Sequence, residues 1–302
     1  MMITRRDFLG KIALGALAVG LPGTPMDVYG ESKAPERMPV LFVGHGSPLN
    51  AIENTRFSEG WRNVGQNLPR PSAILCVSAH WRTEEFRVTT NEHPETIYDF
   101  WGFPEELYDV IYPAPGSPSL ANSLPRMVSK APITPDPIRG FDHGCWAVLV
   151  RMFPGAEIPL IQLSLNQSLS PSAQCDLAKE LSPLRQKGVL IVCSGNIVHN
   201  LRVRRPKDSP PYDWALEFDA SAKELIQKGD LRSLLEYERL GEAARLSIPT
   251  NEHYLPALYA LALREDSEPI TFFNEGIVSG AVSMRGFQIG DISRSSFGSR
   301  PQ

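Results

Sequence analysis

The chain has 302 residues, of which 42 % are hydrophobic and 21 % charged, a composition ordinary for a globular protein with a sizeable buried core. Its net charge of −4 argues against nucleic acid as a partner, because proteins that bind a phosphate backbone usually carry a clustered basic excess. We therefore expect a small-molecule partner.

The first thirty residues predict an export signal. Arg5 and Arg6 precede an apolar stretch, Ile12 to Leu21, which is too short and too rich in glycine and alanine to anchor the protein stably in a bilayer. The paired arginines resemble the twin-arginine signal, although its usual lysine falls one place late, at Lys11. We predict that residues 1–30 direct the protein through the twin-arginine translocase to the periplasm.

Four apolar runs follow, each of about six residues and each ending in a loop of small and polar residues. Uninterrupted apolar strands are typical of a sheet whose two faces are both covered by helices. The runs are VLFVGHGS, AILCVSAHW, IPLIQLSLN and GVLIVCSGN.

Helical patterns lie between and after these runs, at Phe57 to Asn67, Ser117 to Ser129, Gly144 to Phe153, Ser172 to Gln186, Asp213 to Gln227 and Leu231 to Arg245. The last segments, EPITFFNEG and GAVSMRGFQIG, predict an antiparallel pair at the edge of the sheet. This alternation predicts an α/β sandwich in which helices flank a central, mostly parallel sheet. No linker divides the mature chain, so we expect one domain over residues 31–302.

The four cysteines show no spacing typical of a zinc site or a disulfide framework. Cys76 and Cys193 lie inside apolar runs, where a free thiol behaves as a small hydrophobic side chain. Cys145 has a functional neighbour in His143, but burial in the core is the commoner fate of a free cysteine. We interpret Cys76, Cys193 and Cys145 as core residues.

Histidines are the side chains most suited to chemistry in this sequence. His45, His80 and His199 are predicted to project from one edge of the sheet, where α/β proteins bind ligands, and His93 has no such placement. A single histidine at a strand end is usually structural, but three loops supply one each, and converging imidazoles suit a divalent first-row metal. Five of the six fall at predicted strand ends or in polar loops: His45, His80, His143, His199 and His253.

Six segments occur in the order GHGSP, SAHW, TIYDFWGFPEELYDVIYPAPGSP, GFDHGCW, SGNIVHNLR and NEHYLPALYAL. Together they resemble the class III extradiol ring-cleavage dioxygenases of the 4,5-DOPA dioxygenase type, from about Pro39 to Gly290. The resemblance implies a metal held by His45, His80 and His253. It places His199 close to the metal, as a fourth ligand or as the acid/base.

The metal itself is left open between Fe(II) and Zn(II). The broader class places a glutamate where this sequence has His253, which gives the two-histidine, one-carboxylate set of Fe(II) oxygenases. Glu252 is adjacent, but we expect it to point elsewhere on a helix. A site made of histidines alone binds zinc as readily as iron.

The resemblance also implies a reaction. A catechol would bind the metal through both oxygens, with O₂ beside it. His199 would remove a phenolic proton, which requires a pKa near neutrality, and His143 would hydrogen-bond to dioxygen or to a substrate oxygen. The loop from Tyr98 to Tyr112, rich in aromatic residues, would line the pocket and stack on the ring.

Two other functions use the same pattern. A zinc-dependent hydrolase on this scaffold would need a carboxylate as general base, and Asp142 is the candidate. A periplasmic metal-binding or carrier protein more often has Met-rich or His-rich tracts, which this sequence lacks.

Overall fold

A computed structural model of the protein describes residues 37–265 and 268–291. The predicted export signal, residues 1–30, lies outside the described residues. The boundary at residue 31 and the periplasmic location therefore stay predictions. Within the described ranges, no helix combines the length and the apolar character needed to cross a bilayer.

The centre of the described chain is an eight-stranded sheet with the order β4-β3-β5-β2-β6-β1-β10-β7. Its strands are β1 (Val40–Gly44), β2 (Ala73–Thr83), β3 (Phe86–Thr89), β4 (Ile133–Asp136), β5 (Leu160–Asn166), β6 (Val189–Gly195), β7 (Ile270–Phe273) and β10 (Gly286–Ile289). A separate two-stranded sheet pairs β8 (Ile277–Val278) with β9 (Val282–Ser283).

The four apolar runs form β1, β2, β5 and β6, which are the four central strands and pair in parallel. The predicted C-terminal pair is also present, because β10 pairs antiparallel with both β1 and β7, and β7 lies at the edge. The α/β fold with a mostly parallel sheet is therefore confirmed. The sequence did not predict β3 and β4, which are short, contain polar residues and form the other edge.

Eleven α-helices flank the sheet in the described residues: α1 (Arg56–Asn67), α2 (Glu105–Tyr108), α3 (Pro118–Ala121), α4 (Leu124–Met127), α5 (His143–Met152), α6 (Pro171–Glu180), α7 (Pro183–Gln186), α8 (Asp213–Lys228), α9 (Leu231–Leu235), α10 (Glu242–Ser247) and α11 (Leu255–Ala262). Short 3₁₀ turns occur at Pro48–Ala51, Leu201–Val203 and Tyr237–Leu240.

Three of the predicted helices are interrupted, which corrects the sequence analysis. The segment Ser117 to Ser129 forms α3 and α4, and Ser172 to Gln186 forms α6 and α7, because Pro125 and Pro183 each begin a new turn. Leu231 to Arg245 is divided into α9, a 3₁₀ turn and α10. Gly241 separates the last two with φ of 103°, a conformation that a helix cannot include.

The core lies on both faces of the sheet, as uninterrupted apolar strands require. In β1, Val40 and Phe42 pack into one buried cluster, while Leu41 and Val43 pack into the cluster on the opposite face. All four cysteines are buried and free, which confirms the interpretation of Cys76, Cys193 and Cys145 as core residues. This rigid sheet carries the histidines at its carboxyl edge.

Candidate metal centre

Five histidines line one cavity of about 490 Å³ at the carboxyl edge of the central strands. They come from five different segments. His45 follows β1, His80 lies in the last part of β2, His143 is the first residue of α5, His199 follows β6 by four residues, and His253 precedes α11. The structure thus brings together every histidine that the sequence analysis singled out, and His93 does not line the cavity.

A bulge in β2 positions His80, which the sequence analysis had placed after the strand. Val77 of β2 pairs with Leu163 of β5, and Arg82 pairs with Leu165, so four residues of β2 oppose a single residue of β5. Such an insertion bends a strand and redirects its side chains. His80 is therefore aimed at the cavity from within the strand.

His253 is held against the end of β6. The backbone N–H of Asn196 donates to the carbonyl oxygen of His253 at 2.7 Å. A Cβ atom at Gly195 would overlap that same oxygen, so this approach requires glycine. The turn before α11 is thereby fixed beside the strand that leads to His199.

Three of the rings form a nearly equilateral triangle. The ring centroids are 5.0 Å apart for His45 and His80, 5.3 Å for His45 and His253, and 5.0 Å for His80 and His253. The Nε2 atoms of His45 and His80 are 3.2 Å apart. Two nitrogens bound tetrahedrally to one ion at the usual length lie about 3.4 Å apart, so this pair already has the spacing of ligands to a shared metal.

In each ring of the triangle, the Nδ1 atom lies within hydrogen-bond distance of a side-chain oxygen. A carboxylate only accepts hydrogen bonds, so the Nδ1 atoms of His80 and His253 each carry a proton, and in the neutral form of such a ring Nε2 offers a lone pair. Metal-binding histidines are commonly oriented in this way. The Nδ1 contacts are His45 to Ser194 Oγ at 3.0 Å, His80 to Asp99 Oδ2 at 3.2 Å, and His253 to Glu252 Oε1 at 3.1 Å.

Asp99 joins two histidines and was missed by the sequence analysis. Its Oδ1 atom accepts from the backbone N–H of His143 at 3.0 Å and from Nδ1 of the same residue at 2.9 Å, while Oδ2 faces His80. Burial by itself raises the pKa of Asp99, but hydrogen bonds from His143 and His80 outweigh it and hold the pKa below the usual range of an aspartate. The only sequence signal was a lone acid within the aromatic segment IYDFWGF.

The helical position expected for Glu252 was wrong, although its side chain does not line the cavity. The residue lies in a turn before α11 rather than on the helix, so its side chain is free to face the same way as that of its neighbour His253. The side chain is 15 % exposed, and Oε2 lies 3.7 Å from the Arg82 guanidinium. Ligand atoms of His199, Glu252 and His253 all lie within 4.8 Å of one another, a second potential donor group beside that of His45, His80 and His143.

His199 differs from the triangle in geometry. Its ring stacks on that of His253, with centroids 3.5 Å apart and an interplanar angle of 11°. Burial, followed by the neighbouring His80, lowers the pKa of His199 to about 4. The expected pKa near neutrality is therefore not found, and at pH 7 this imidazole is neutral and able to accept a proton.

His143 stands on the other side of the triangle, 3.9 Å from His80 between ring centroids. Burial is the main cause of its lowered pKa, so this ring is neutral as well. Because Asp99 fixes the Nδ1 proton, Nε2 is an acceptor. Phe100 meets the ring edge-on at 5.5 Å between centroids.

Part of the aromatic loop lines the cavity and part supports it. Phe100, Trp101 and Phe103 line the cavity, and Trp101 is 87 % exposed. Tyr98 and Tyr112 are held behind them, since their hydroxyls donate to the carbonyls of Val110 at 2.8 Å and Phe153 at 3.1 Å.

Asp142, the candidate base of a hydrolase, is fully buried and does not line the cavity. It caps α5, accepting from the backbone N–H of Cys145 at 3.2 Å, and it accepts from Ser78 Oγ at 2.7 Å and from the amide of Gln162. These contacts occupy its oxygens, so Asp142 supports the helix that carries His143.

Comparison with known proteins identifies the family of this α/β sheet with histidines clustered at its carboxyl edge. Residues 40–280 match the family described as the catalytic LigB subunit of aromatic ring-opening dioxygenase. The chain belongs to this family and is an extradiol ring-cleaving dioxygenase.

Individual relatives agree with this assignment. The chain is 46 % identical over 262 residues to the 4,5-DOPA dioxygenase extradiol of Escherichia coli (strain K12), covering 84 % of this chain and 95 % of the relative. It is 33 % identical over 250 residues to the 4,5-DOPA dioxygenase extradiol of Beta vulgaris, covering 80 % and 93 %. A crystal structure of the uncharacterized protein JW3007 from Escherichia coli K12 superposes with a TM-score of 0.74 at 42 % identity, covering 84 % of this chain and all of that one.

Proposed function

We propose that this protein is a metal-dependent dioxygenase that opens the ring of a DOPA-like catechol with O₂. His45, His80 and His253 would hold the metal, as Fe(II) or Zn(II). The proposal is supported by the triangle of rings, in which each Nδ1 atom contacts a side-chain oxygen. The donor set fits a divalent ion, since imidazole nitrogens suit both metals and the Nε2 atoms of His45 and His80 already face each other.

When bound, the metal would supply a Lewis acid and adjacent coordination positions for catechol and O₂. The protein's own residues would manage the protons. His199 is neutral at pH 7 and would accept a phenolic proton. His143 offers an acceptor at Nε2, so we assign it to a catechol hydroxyl rather than to dioxygen.

The walls of the cavity favour an aromatic substrate. Phe100 and Phe103 supply apolar surface above the histidines, and aromatic rings gain from such edge and face contacts. The two relatives named above as 4,5-DOPA dioxygenases support a catechol that carries a side chain. The volume of about 490 Å³ lies in the usual range for a small-molecule site.

The test is metal analysis of protein purified without oxygen, followed by a screen of catechols for a yellow ring-opened product. We expect about one equivalent of metal per chain, and ring opening that requires both the metal and O₂. His93→Ala is the matched control, because His93 is exposed and outside the cavity. Metal-free protein that opens catechols at the full rate, or loaded protein that opens none, would contradict the proposal.

We further propose that the enzyme works in the periplasm after twin-arginine export. The proposal is supported by the paired arginines and the weak apolar stretch within residues 1–30. That route carries folded proteins, which allows the metal to be loaded before export.

A further inference from the structure

The rim of the cavity carries a cation. Arg204 lines the cavity with an exposed side chain, as does Leu201, which is 54 % exposed, whereas His45 and His253 are buried at its base. Among the cavity-lining residues of the described chain, it is the single arginine or lysine. A substrate seated on the histidines would therefore meet one positive charge at its outer end.

The guanidinium of Arg204 has no partner among the residues that the structure describes. Within the described ranges, its guanidinium forms no ion pair and donates no hydrogen bond, whereas the next two cations are engaged. Arg205 lies over the ring of Tyr212 at 3.7 Å, and Lys207 forms an ion pair with Glu53 at 2.5 Å. An arginine left available at the mouth of a binding cavity is suited to pair with a carboxylate, which it can bind through two parallel hydrogen bonds.

The backbone holds Arg204 in place. The segment between His199 and Arg205 runs along residues 279–282, where the N–H of Asn200 donates to the Ala281 carbonyl at 3.0 Å and the N–H of Arg205 donates to the Ser279 carbonyl at 2.8 Å. The same short segment thus links the base of the cavity to its rim. The backbone therefore fixes the position of the residue, while ordering of its side chain by a ligand carries an entropic cost.

Among the described residues, the cavity offers no comparable partner for an ammonium group of the substrate. In the described chain, Asp99 is the only carboxylate that lines the cavity, and its two oxygens already face His143 and His80. We infer, on the basis of the proposed function, that the substrate is a catechol whose side chain ends in a carboxylate held by Arg204. An amino group on that side chain contributes nothing to recognition.

The experiment measures binding to the metal-loaded, full-length enzyme by titration calorimetry under argon, so that no turnover occurs. The ligands are catechol, dopamine, DOPA and 3,4-dihydroxyphenylpropionate. We expect the two carboxylates to bind about 10-fold more tightly than dopamine, the size of one charge-assisted contact at a solvent-exposed rim. The advantage should shrink as salt is raised, because the pair is exposed.

Arg204→Gln should remove this advantage and leave catechol and dopamine within about twofold of their wild-type affinity, since a lost contact changes only the ligand that made it. Arg202→Gln is the matched control, because Arg202 is exposed in the same turn but does not line the cavity. Arg204→Glu should reverse the preference in favour of dopamine. Opposite changes for two ligands cannot result from misfolding.

Equal affinity of wild type and Arg204→Gln for 3,4-dihydroxyphenylpropionate would overturn the inference, as would a wild-type preference for dopamine. Binding of DOPA alone among the two carboxylates would show that the amino group is recognised, which also overturns it. If the loaded wild type opens catechol and dopamine but Arg204 has no effect, the proposed function stands and this inference fails. If the loaded wild type opens no catechol at all, the proposed function and this inference fail together.

Discussion

Replacing Asp99 by asparagine should weaken metal binding without removing any metal ligand. The aspartate oxygens face three N–H groups, two from His143 at 3.0 and 2.9 Å and one from His80 at 3.2 Å. Asparagine has one acceptor oxygen, so if it keeps the contacts with His143 its NH₂ group faces Nδ1 of His80. Either two donors then oppose each other, or His80 moves its proton to Nε2 and loses the lone pair that the metal needs.

The magnitude follows from that single mismatch. An unsatisfied donor in a buried site costs about 1–3 kcal/mol, which agrees with the roughly 10- to 100-fold loss of metal affinity usual when a residue that orients a ligand is changed. Competition with a chromophoric chelator measures the affinity of Asp99→Asn against Asp109→Asn, the same change at an exposed position of the same loop. Affinity of Asp99→Asn within twofold of wild type would refute the reasoning.

Three further predictions concern proton transfer, pH and export. His199→Ala should keep its metal and bind catechol while turnover falls by about 10² to 10⁴, the usual contribution of a positioned acid/base; loss of metal instead would make His199 a ligand. Metal-free protein should lose stability as the pH falls from 6.5 towards about 4, because His199 becomes protonated at a higher pH in the unfolded chain than in the folded protein. His199 contributes at most about 3 kcal/mol to this change in the free energy of unfolding. Thermal unfolding of His199→Asn should therefore depend less on pH than that of wild type. Replacing Arg5 and Arg6 by lysine should leave precursor in the cytoplasm, and undiminished periplasmic accumulation would count against twin-arginine export.

The centre of the fold was predictable from the sequence because burial on both faces leaves a strong local signal. The runs that form β1, β2, β5 and β6 are mostly apolar, although β5 carries Gln162, Ser164 and Asn166, and each is buried throughout most of its length. The edge strand β4 has the sequence ITPD, which contains a proline and no apolar pattern, and it is a strand only because β3 lies beside it. Pairing of this kind is a tertiary effect.

The site was predictable in its histidines and not in the groups that orient them. Strand ends place histidines at one edge of a parallel sheet, so their convergence follows from topology. Ser194 contacts His45 across 149 residues of sequence, and Asp99 reaches His80 from a loop with no regular pattern. Glu252 was misjudged because the helical pattern of α11 was extended backwards over the turn that precedes it.

Metal content is the most direct test of the proposed centre. His45→Ala, His80→Ala and His253→Ala would each be purified without oxygen, passed through gel filtration and analysed for iron and zinc beside wild type and His93→Ala. We predict about one equivalent in wild type and in His93→Ala and loss of the metal in each of the other three, because a three-ligand site has no spare donor. A full equivalent retained in two of those three variants would contradict the assignment of His45, His80 and His253 as the ligands.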